Sequence, residues 1–482
     1  MQAGSTSIQS GFTLLSALEE SDLDWIFATG REEPAPTGAV VVQEGVRGEF
    51  IYFVLEGLLS VSSAALGRRE IARLGPGQIF GEMSFLEDRP TSATISAVED
   101  SLVLAVARAD LESKLAADSA LAARIYKALA IIAAGRLREL VGTLARWMEV
   151  EERVSIVSPM LERWQEIAAR TQHLKQLIVR VEKDAAADVD LSAELAQFSG
   201  FMNAAIGADS PETVDAREEL GARIQREILP YFLKSRTVEW LYKKPHGYAA
   251  DYEALEMIAA HQPQGSGAAG ALLDRAFLSL PAIRAVRDRK QSVTAALTRL
   301  LSEAKKPLRV AGIGCGAAEP LLDLLGSSAG EPAIEATAVD FDMRAIEAAR
   351  SRLPVLGLTD RFRLLNTNIV HLASGRDELD VQDQDIIYGF NIADYLDNRL
   401  LLRFLNQAFR KLRPGGQLLL SAFHRGNPDH AFLDHVIDWK ATHWSEEEIN
   451  ALFVQSNFKS PALSFVRDPD KITFIAVCQR SR

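Results

Sequence analysis

The stretch LRVAGIGCGAAE, residues 308–319, runs from an apolar strand into a glycine turn that opens a helix. Lacking Cβ atoms, Gly314 and Gly316 let the main chain approach a ligand closely, as a nucleotide-binding βα turn requires. A glycine turn alone is a weak sign. The next strand, IEATAVD (334–340), strengthens it by ending in Asp340, a position from which a carboxylate takes both hydroxyls of a ribose. Around this pair the runs RVAGIG, IEATAVD, FRLLNTN, DIIYGF, QLLLSAF and ITFIAVC alternate with helices from about Pro281 onward. Strands separated by helices predict a parallel, Rossmann-like α/β sheet covered on both faces.

Upstream the pattern changes twice. From Pro36 to Val106 short apolar runs punctuated by glycines predict an antiparallel, jelly-roll-like β-barrel. From Leu111 to Ile206 apolar residues recur at helical spacing, as at Ile125, Leu129, Ile132, Leu137, Val141, Leu144 and Met148, which predicts a long helix whose stripe serves packing or a dimer seam. Broken helix follows through Gln225–Ala260, and QPQGSGAAGA (262–271) reads as a loop or flexible connection. The expected architecture is therefore multidomain: a barrel over 10–120, a helical connector and lid over 121–280, and the α/β domain over 281–482. The chain's 482 residues suit about three domains.

The 53 Lys+Arg and 65 Asp+Glu give a net charge of −12, and residues 1–115, with 17 acidic and 8 basic side chains, hold nine of those charges. An acidic chain argues against general nucleic-acid binding. Cys315 and Cys478 are the only cysteines, so neither a disulfide framework nor a thiolate zinc site is expected, and no metal is assigned. The N-terminus lacks a signal pattern and no long apolar run occurs, which reads as a cytoplasmic protein with no membrane span.

The segments QEG (43–45), GEFIYFVLEG (48–57) and GEMSFL (81–86), the last closing on RPTSATI (89–95), resemble the cyclic nucleotide-binding domain of the catabolite-activator and protein-kinase regulatory families. The resemblance implies that Glu82 takes a ribose hydroxyl, that Gly81, Met83 and Ser84 supply main-chain donors, and that cAMP or cGMP is a regulatory ligand. The family's phosphate-binding arginine is replaced by Thr91, leaving Arg89 or the hydroxyls of Thr91 and Ser92 as substitutes. A barrel that binds nothing, or binds another small anion, stays open. No helix-turn-helix pattern follows the long helix, so DNA binding is not expected.

In the α/β region LRPGGQL (412–418), a turn before a strand, resembles class I S-adenosylmethionine-dependent methyltransferases. That implies Gly312, Gly314 and Gly316 at the methionine end of the cofactor, Asp340 at its ribose, Phe341 on the adenine face and Asn368 at the adenine edge. The first-strand acid common in that class is Gly312 here, and the last glycine of the turn is Ala318, so a degenerate, non-binding domain is the alternative. KPHGYAADY (244–252), NIADYL (391–396) and HAFLDHVIDW (430–439) resemble more narrowly the bacterial family assigned to biosynthesis of the extracellular factor 3-hydroxypalmitic acid methyl ester, with departures at His246, Ala250 and Asn391.

A fatty acyl carboxylate is ionised near neutral pH and needs no strong base to accept a methyl group. It needs donors and an apolar channel. Tyr248, Tyr252 and Tyr395 are the expected donors, with His424 or His246 as further donors, or as general base if the acceptor is a hydroxyl or amine. Asp251 and Asp394 are expected to orient the tyrosines or hold the cofactor ammonium, Asp394 alternatively capping the helix near Leu396, with Asn391 beside the cofactor. Trp439 and Phe423 are expected to wall the channel. His261, His371 and His443 read as surface residues, and Cys315 as a small packing residue. The function the resemblances imply is methylation of a 3-hydroxy fatty acid to a diffusible quorum-sensing ester under barrel control, with a homodimer as the expected assembly. The alternatives are a non-catalytic nucleotide sensor or scaffold, and a methyltransferase acting on another small-molecule hydroxyl or a protein.

Overall fold

The computed structural model describes residues 12–64, 69–87, 89–147, 158–184, 189–302, 308–327, 334–359, 362–374 and 379–481. Among the described residues, eight strands form the N-terminal unit: β1 (Arg31–Ala35), β2 (Val40–Val42), β3 (Phe50–Glu56), β4 (Leu59–Ser63), β5 (Arg69–Leu74), β6 (Ile79–Phe80), β7 (Thr94–Ala97) and β8 (Ser101–Ala107). They pair antiparallel into two four-stranded sheets, β1-β8-β3-β6 and β2-β7-β4-β5. Val54, Leu59, Leu74, Phe80, Ile95 and Val103 fill the space between them. The period-two alternation of strands with one buried face selects these residues.

The helix Ser119–Trp147 leaves this sandwich, and its Ile125 and Leu129 bury against Leu14, Ile51 and Phe53. The first part of the predicted stripe is thus spent inside the fold. Leu137, Val141, Leu144 and Met148, and the expected barrel start at residue 10, lie outside the residues whose side chains are described.

The C-terminal sheet comprises β9 (Leu308–Ile313), β10 (Ile334–Asp340), β11 (Phe362–Asn366), β12 (Gln384–Gly389), β13 (Leu412–His424), β14 (His443–Trp444), β15 (Ser464–Arg467) and β16 (Thr473–Gln479). Its order is β11-β10-β9-β12-β13-β16-β15, with β14 beside the end of β13. β11 to β13 run parallel, while β16 is antiparallel to both β13 and β15. Every residue of β12 is buried, as expected of a central strand covered on both faces. Strand order reverses between β9 and β12, which opens a crevice at their carboxyl ends.

Among the described residues, seven helices run from Ser158–Lys183 to Pro281–Ser302, between the long helix and the C-terminal sheet in sequence. QPQGSGAAGA, expected as a loop or flexible connection, is non-helical as far as Ser266 and helical from Gly267, where the helix Gly267–Leu278 begins and buries Leu273, Ala276 and Phe277. Its glycines serve close packing, since a Cβ on Gly265 or Gly270 would lie 2.5 Å from the Lys234 carbonyl oxygen. Phe232, Leu273 and Phe277 join Phe423, Phe432 and Trp439 in one core, which fastens the helical region to the far end of β13.

The sandwich docks directly on the α/β domain. Glu99 pairs with Arg344 at 2.8 Å, Asn368 Nδ2 donates to Glu56 at 3.4 Å, and the guanidinium of Arg403 donates to the Leu15 and Leu18 carbonyls. Among the described residues no helix is long and apolar enough to cross a membrane.

Candidate functional site

A cleft of about 620 Å³, counting space open to solvent, lies at the crevice. Its floor is Ile313, Gly314 and Gly316 after β9, with Asp340 and Phe341 after β10, and Thr367 and Leu372 beyond β11. Phe390, Asn391, Ile392 and Tyr395 follow β12, and Tyr248, Ala250, Tyr252 and Leu255 come down from the segment before the domain. Gly314 and Gly316 have φ of +63° and +55°, in the left-handed region open to glycine, and a Cβ on Gly314 would sit 3.1 Å from the Phe390 carbonyl.

Asp340 is fixed by main-chain donors: the Gly316 amide at 2.7 Å and the Asp342 amide at 2.9 Å. Burial pushes its carboxyl up to about 6, against those donors, which favour the ionised form. Asp342, which no sequence motif singled out, caps the helix Met343–Leu356 through the Arg344 amide and accepts the Tyr248 hydroxyl at 3.0 Å. Tyr248 is thereby held with its ring 5.0 Å from Phe341. Burial, then Asp342, push its hydroxyl well above the usual tyrosine range.

The three tyrosines expected as donors to an acceptor do come together at the cleft. Each hydroxyl, however, already donates within the protein: Tyr248 to Asp342, Tyr252 to Glu253 at 3.1 Å and Tyr395 to the Ala249 carbonyl at 3.0 Å. Burial, followed by Glu253, pushes Tyr252 up to about 12. Asp251, expected near the cofactor ammonium, does not line the cleft. It caps the helix Tyr252–Ala260 and accepts the Trp240 indole N–H at 3.0 Å, with His246 Nδ1 3.1 Å away. His246 stands between the rings of Trp240 and Tyr252, behind the cleft wall.

Asp394 neither caps the next helix, a role Asp397 takes, nor faces the cleft. It pairs with Arg289, which is 1% exposed. Arg289 Nη1 lies 2.5 Å from both Asp394 and Asn391 Oδ1, and its guanidinium sits 4.6 Å over the Phe423 ring. This arginine, from the helix Pro281–Ser302, fixes Asn391 at φ +61° beside the cleft.

Other expectations are corrected. Gly312 is not a cleft residue: a Cβ there would lie 2.3 Å from the Tyr388 hydroxyl, so the glycine makes room for that ring across the β9–β12 pair. Gly312→Ala should destabilise by about 1–3 kcal/mol through overpacking, measured by denaturant unfolding in a double-mutant cycle with Tyr388→Leu, in whose presence the glycine substitution should cost less. Asn368 caps the helix Ile369–Ser374 through the amides of Val370 and His371, and its neighbour Thr367 reaches the cleft instead. His424 is outside the cleft and accepts the Gly426 amide on Nδ1. Phe423 and Trp439 pack edge to face with their rings 6.1 Å apart, inside the core rather than along a channel. His371 and His443 are buried, not surface residues: Phe27 lies edge-on to the first, and the second stacks 3.7 Å from His430. Burial lowers His443 well below the usual range and His430 to about 4. Cys315 is buried, and its thiol is raised by burial.

In the sandwich, Gly81, Glu82, Met83 and Ser84 start the helix Glu82–Glu87. Glu82 is buried and pairs with Arg136 of the helix Ser119–Trp147, whose guanidinium also donates to the Ile79 carbonyl. The Ser84 hydroxyl donates to the Arg89 carbonyl at 2.5 Å, and the Thr91 hydroxyl donates to the carbonyls of Gln43 and Val46. Ser92 contacts Met83 Sδ at 3.8 Å, while the Arg89 side chain is exposed, 4.0 Å from Glu87. The guanidinium that meets Glu82 is therefore that of Arg136, while Arg108 donates to the Ser84 and Phe85 carbonyls.

Residues 32–118 match the family model described as "Cyclic nucleotide-binding domain", and residues 244–443 match that described as "Putative methyltransferase". The chain is 34% identical over 102 residues to a cyclic AMP receptor protein of Thermus thermophilus, covering 21% of this chain and 47% of that protein. It is 29% identical over 120 residues to the tRNA N(3)-methylcytidine methyltransferase Mettl2 of Drosophila melanogaster, covering 25% of this chain and 36% of the relative. A solved structure of a possible exported protein from Bordetella parapertussis aligns at a TM-score of 0.43 and 18% identity, over 61% of this chain and 96% of that one. The chain spans less than half the length of these two curated relatives. Its N-terminal segment is thus similar to cyclic nucleotide-binding domains, and the α/β segment downstream is methyltransferase-like.

Proposed function

We propose that this chain is an S-adenosylmethionine-dependent methyltransferase acting on the carboxylate of a 3-hydroxy fatty acid, under control of its N-terminal domain. The observation that carries the cofactor is the facing of the Gly314–Gly316 turn and the fixed carboxylate of Asp340 at the point where strand order reverses. The residues fit the group: Asp340 takes the ribose hydroxyls, the ring of Phe341 covers the adenine, and the glycine turn leaves room for the methionine end. When bound, the sulfonium supplies an electrophilic methyl group. The chain binds, aligns and excludes water. Leu255, Leu372, Phe390 and Ile392 give the cleft the apolar walls that an acyl chain needs. The product would be a diffusible methyl ester made in the cytoplasm, and a homodimer remains the expected assembly.

Isothermal calorimetry with S-adenosylhomocysteine tests the cofactor, and silence at saturating concentration would overturn the reading. The pH dependence follows from Asp340. Ribose hydroxyls donate to the ionised carboxylate, and free Asp340 takes up its proton as pH falls through about 6. Affinity should therefore be flat above that pH and fall below it by up to about tenfold per unit. Asp340→Asn should bind weakly at every pH, and an unchanged slope in that variant would contradict the assignment.

Control by the sandwich is supported by its contacts. Arg136 joins the nucleotide-site glutamate to the long helix, Leu58 lies 2.8 Å from where a Cβ on Gly247 would stand, and Glu99 reaches Asp342 through Arg344. The last two contacts flank Tyr248. A coupling of about 1–3 kcal/mol is typical of such arrangements. Methyl transfer is expected to change as cAMP or cGMP is titrated to saturation, and a constant rate would overturn the control scheme. A second reading, a cofactor-binding sensor without catalysis, draws on the three tyrosine hydroxyls already being engaged within the protein. It predicts cofactor binding with no transfer to any acceptor.

A further inference from the structure

With the cofactor placed as above, the cleft has two halves: the glycine turn with Asn391 at one end, and Tyr248, Phe341, Thr367 and Leu372 around the nucleoside at the other. The first half is held without the sandwich, by Asp340 on the Gly316 amide and by Arg289 on Asn391. Each of the three segments that wall the second half rests on the sandwich. Segment 247–248 meets Leu58, whose Cδ1 would lie 2.8 Å from a Cβ on Gly247, so the glycine admits the sandwich there. Thr367 and Leu372 flank Asn368 and His371. Asn368 Nδ2 donates to Glu56 at 3.4 Å, and Phe27 lies edge-on to His371 at 5.1 Å. Phe341 leads into Asp342 and Arg344, and Arg344 pairs at 2.8 Å with Glu99 in the link between β7 and β8.

The third contact reaches furthest into the site. Both oxygens of the Asp342 carboxylate, whose side chain is 2% exposed, are in use. Oδ1 accepts the amide and Nε of Arg344 at 3.0 and 2.9 Å, and Oδ2 accepts the Tyr248 hydroxyl at 3.0 Å. A carboxylate this buried keeps its charge and its orientation only while its cation and donors stay in place. Arg344 Nη1, at the other edge of the same guanidinium, is held by Glu99. A planar guanidinium gripped at both edges has a fixed orientation, and it passes that orientation to the carboxylate it bonds. The Tyr248 ring, 5.0 Å from Phe341, is placed in turn by the Asp342 oxygen to which it donates.

We propose that the sandwich is a working part of the nucleoside site: Glu99 sets Arg344, Arg344 sets Asp342, and Asp342 sets the Tyr248 ring against Phe341, so that the contact between the two domains tunes cofactor affinity. Glu99 and Arg344 are positioning residues, since neither is among the residues lining the cleft. The assignment rests on the cofactor reading above. It goes beyond the nucleotide control, because it operates whether or not any ligand occupies the sandwich.

Calorimetry on the full chain without cyclic nucleotide tests it, with S-adenosylhomocysteine and with 5′-methylthioadenosine, which keeps the nucleoside thioether and lacks the amino acid. Glu99→Gln removes one half-exposed pair and should weaken both ligands by the same factor, about two- to fivefold, with thermal unfolding close to that of the wild type. Arg344→Gln also strips the cation from buried Asp342 and should weaken both by roughly tenfold or more. Adding Glu99→Gln to Arg344→Gln should cost less than about twofold further, because the link is already cut. A loss below about twofold in Glu99→Gln, a loss confined to S-adenosylhomocysteine, or a full additional loss in the double variant would overturn the positioning assignment and leave the cofactor reading in place. If the wild-type chain binds neither ligand, the cofactor reading itself falls, and this assignment with it.

Discussion

Asp340→Ala is expected to abolish measurable binding of S-adenosylhomocysteine, a loss of at least about a hundredfold. Two charge-assisted hydrogen bonds to a ribose, each contributing about 1.5–3 kcal/mol, disappear together. The same carboxylate holds the Gly316 amide at 2.7 Å and the Asp342 amide at 2.9 Å, so its loss also frees the turn that the ligand must meet. Asp340→Asn keeps the shape and one acceptor, and should fall between wild type and alanine. Calorimetry, with thermal unfolding as a control for folding, measures both. Binding by Asp340→Ala within a few-fold of wild type would remove Asp340 from the site.

The largest expected effect on stability is at Arg289. Its removal as Arg289→Met takes the cation from Asp394, whose carboxyl burial already pushes up, and leaves Asn391 without its anchor at the cleft edge. Breaking one side of a buried pair typically costs about 3–5 kcal/mol, most of it the stranding of the other charge. Arg289→Met/Asp394→Asn should recover much of that loss, and this recovery separates an ion-pair effect from lost packing over Phe423. Chemical denaturation of the three variants checks it. Additive losses would show that the two side chains act independently.

Several parts of this fold were legible because the signal was local. A strand running into glycines at 314 and 316, and another ending at Asp340, depend on short-range rules of backbone sterics and strand burial. Period-two alternation with glycine turns marked the sandwich for the same reason. The two-residue strand β14 and the short β15 carry too little periodicity to be read that way. The segment 262–271 is non-helical as far as Ser266, as expected, and its second half was misread because its glycines resemble a linker, whereas Gly265 and Gly270 serve close contact with the Lys234 carbonyl.

The site was legible only in outline. Asp340, Phe341, Tyr248, Tyr252, Tyr395 and Asn391, named mostly from the resemblances, all line one cleft. Asp342, Arg136 and Arg289 were missed, since each acts across a distance in sequence that no spacing rule spans. Arg289 meets Asp394 105 residues away, and Arg136 meets Glu82 at a separation of 54. Conversely, Asn368 and Asp251 looked like ligand residues because a polar side chain at a strand end or helix start has two uses. Here the cap came first, because a buried main-chain donor left unsatisfied is costly.

The proposed reaction is methyl transfer to a fatty acyl carboxylate. Its most direct test is mass spectrometry of lipid extracts from cells fed methyl-deuterated methionine and expressing either the wild-type chain or Asp340→Ala. A deuterium-labelled 3-hydroxy fatty acid methyl ester, present with the wild type and absent with the variant, is the predicted result. Identical extracts from the two, with no labelled ester specific to the wild type, would contradict it.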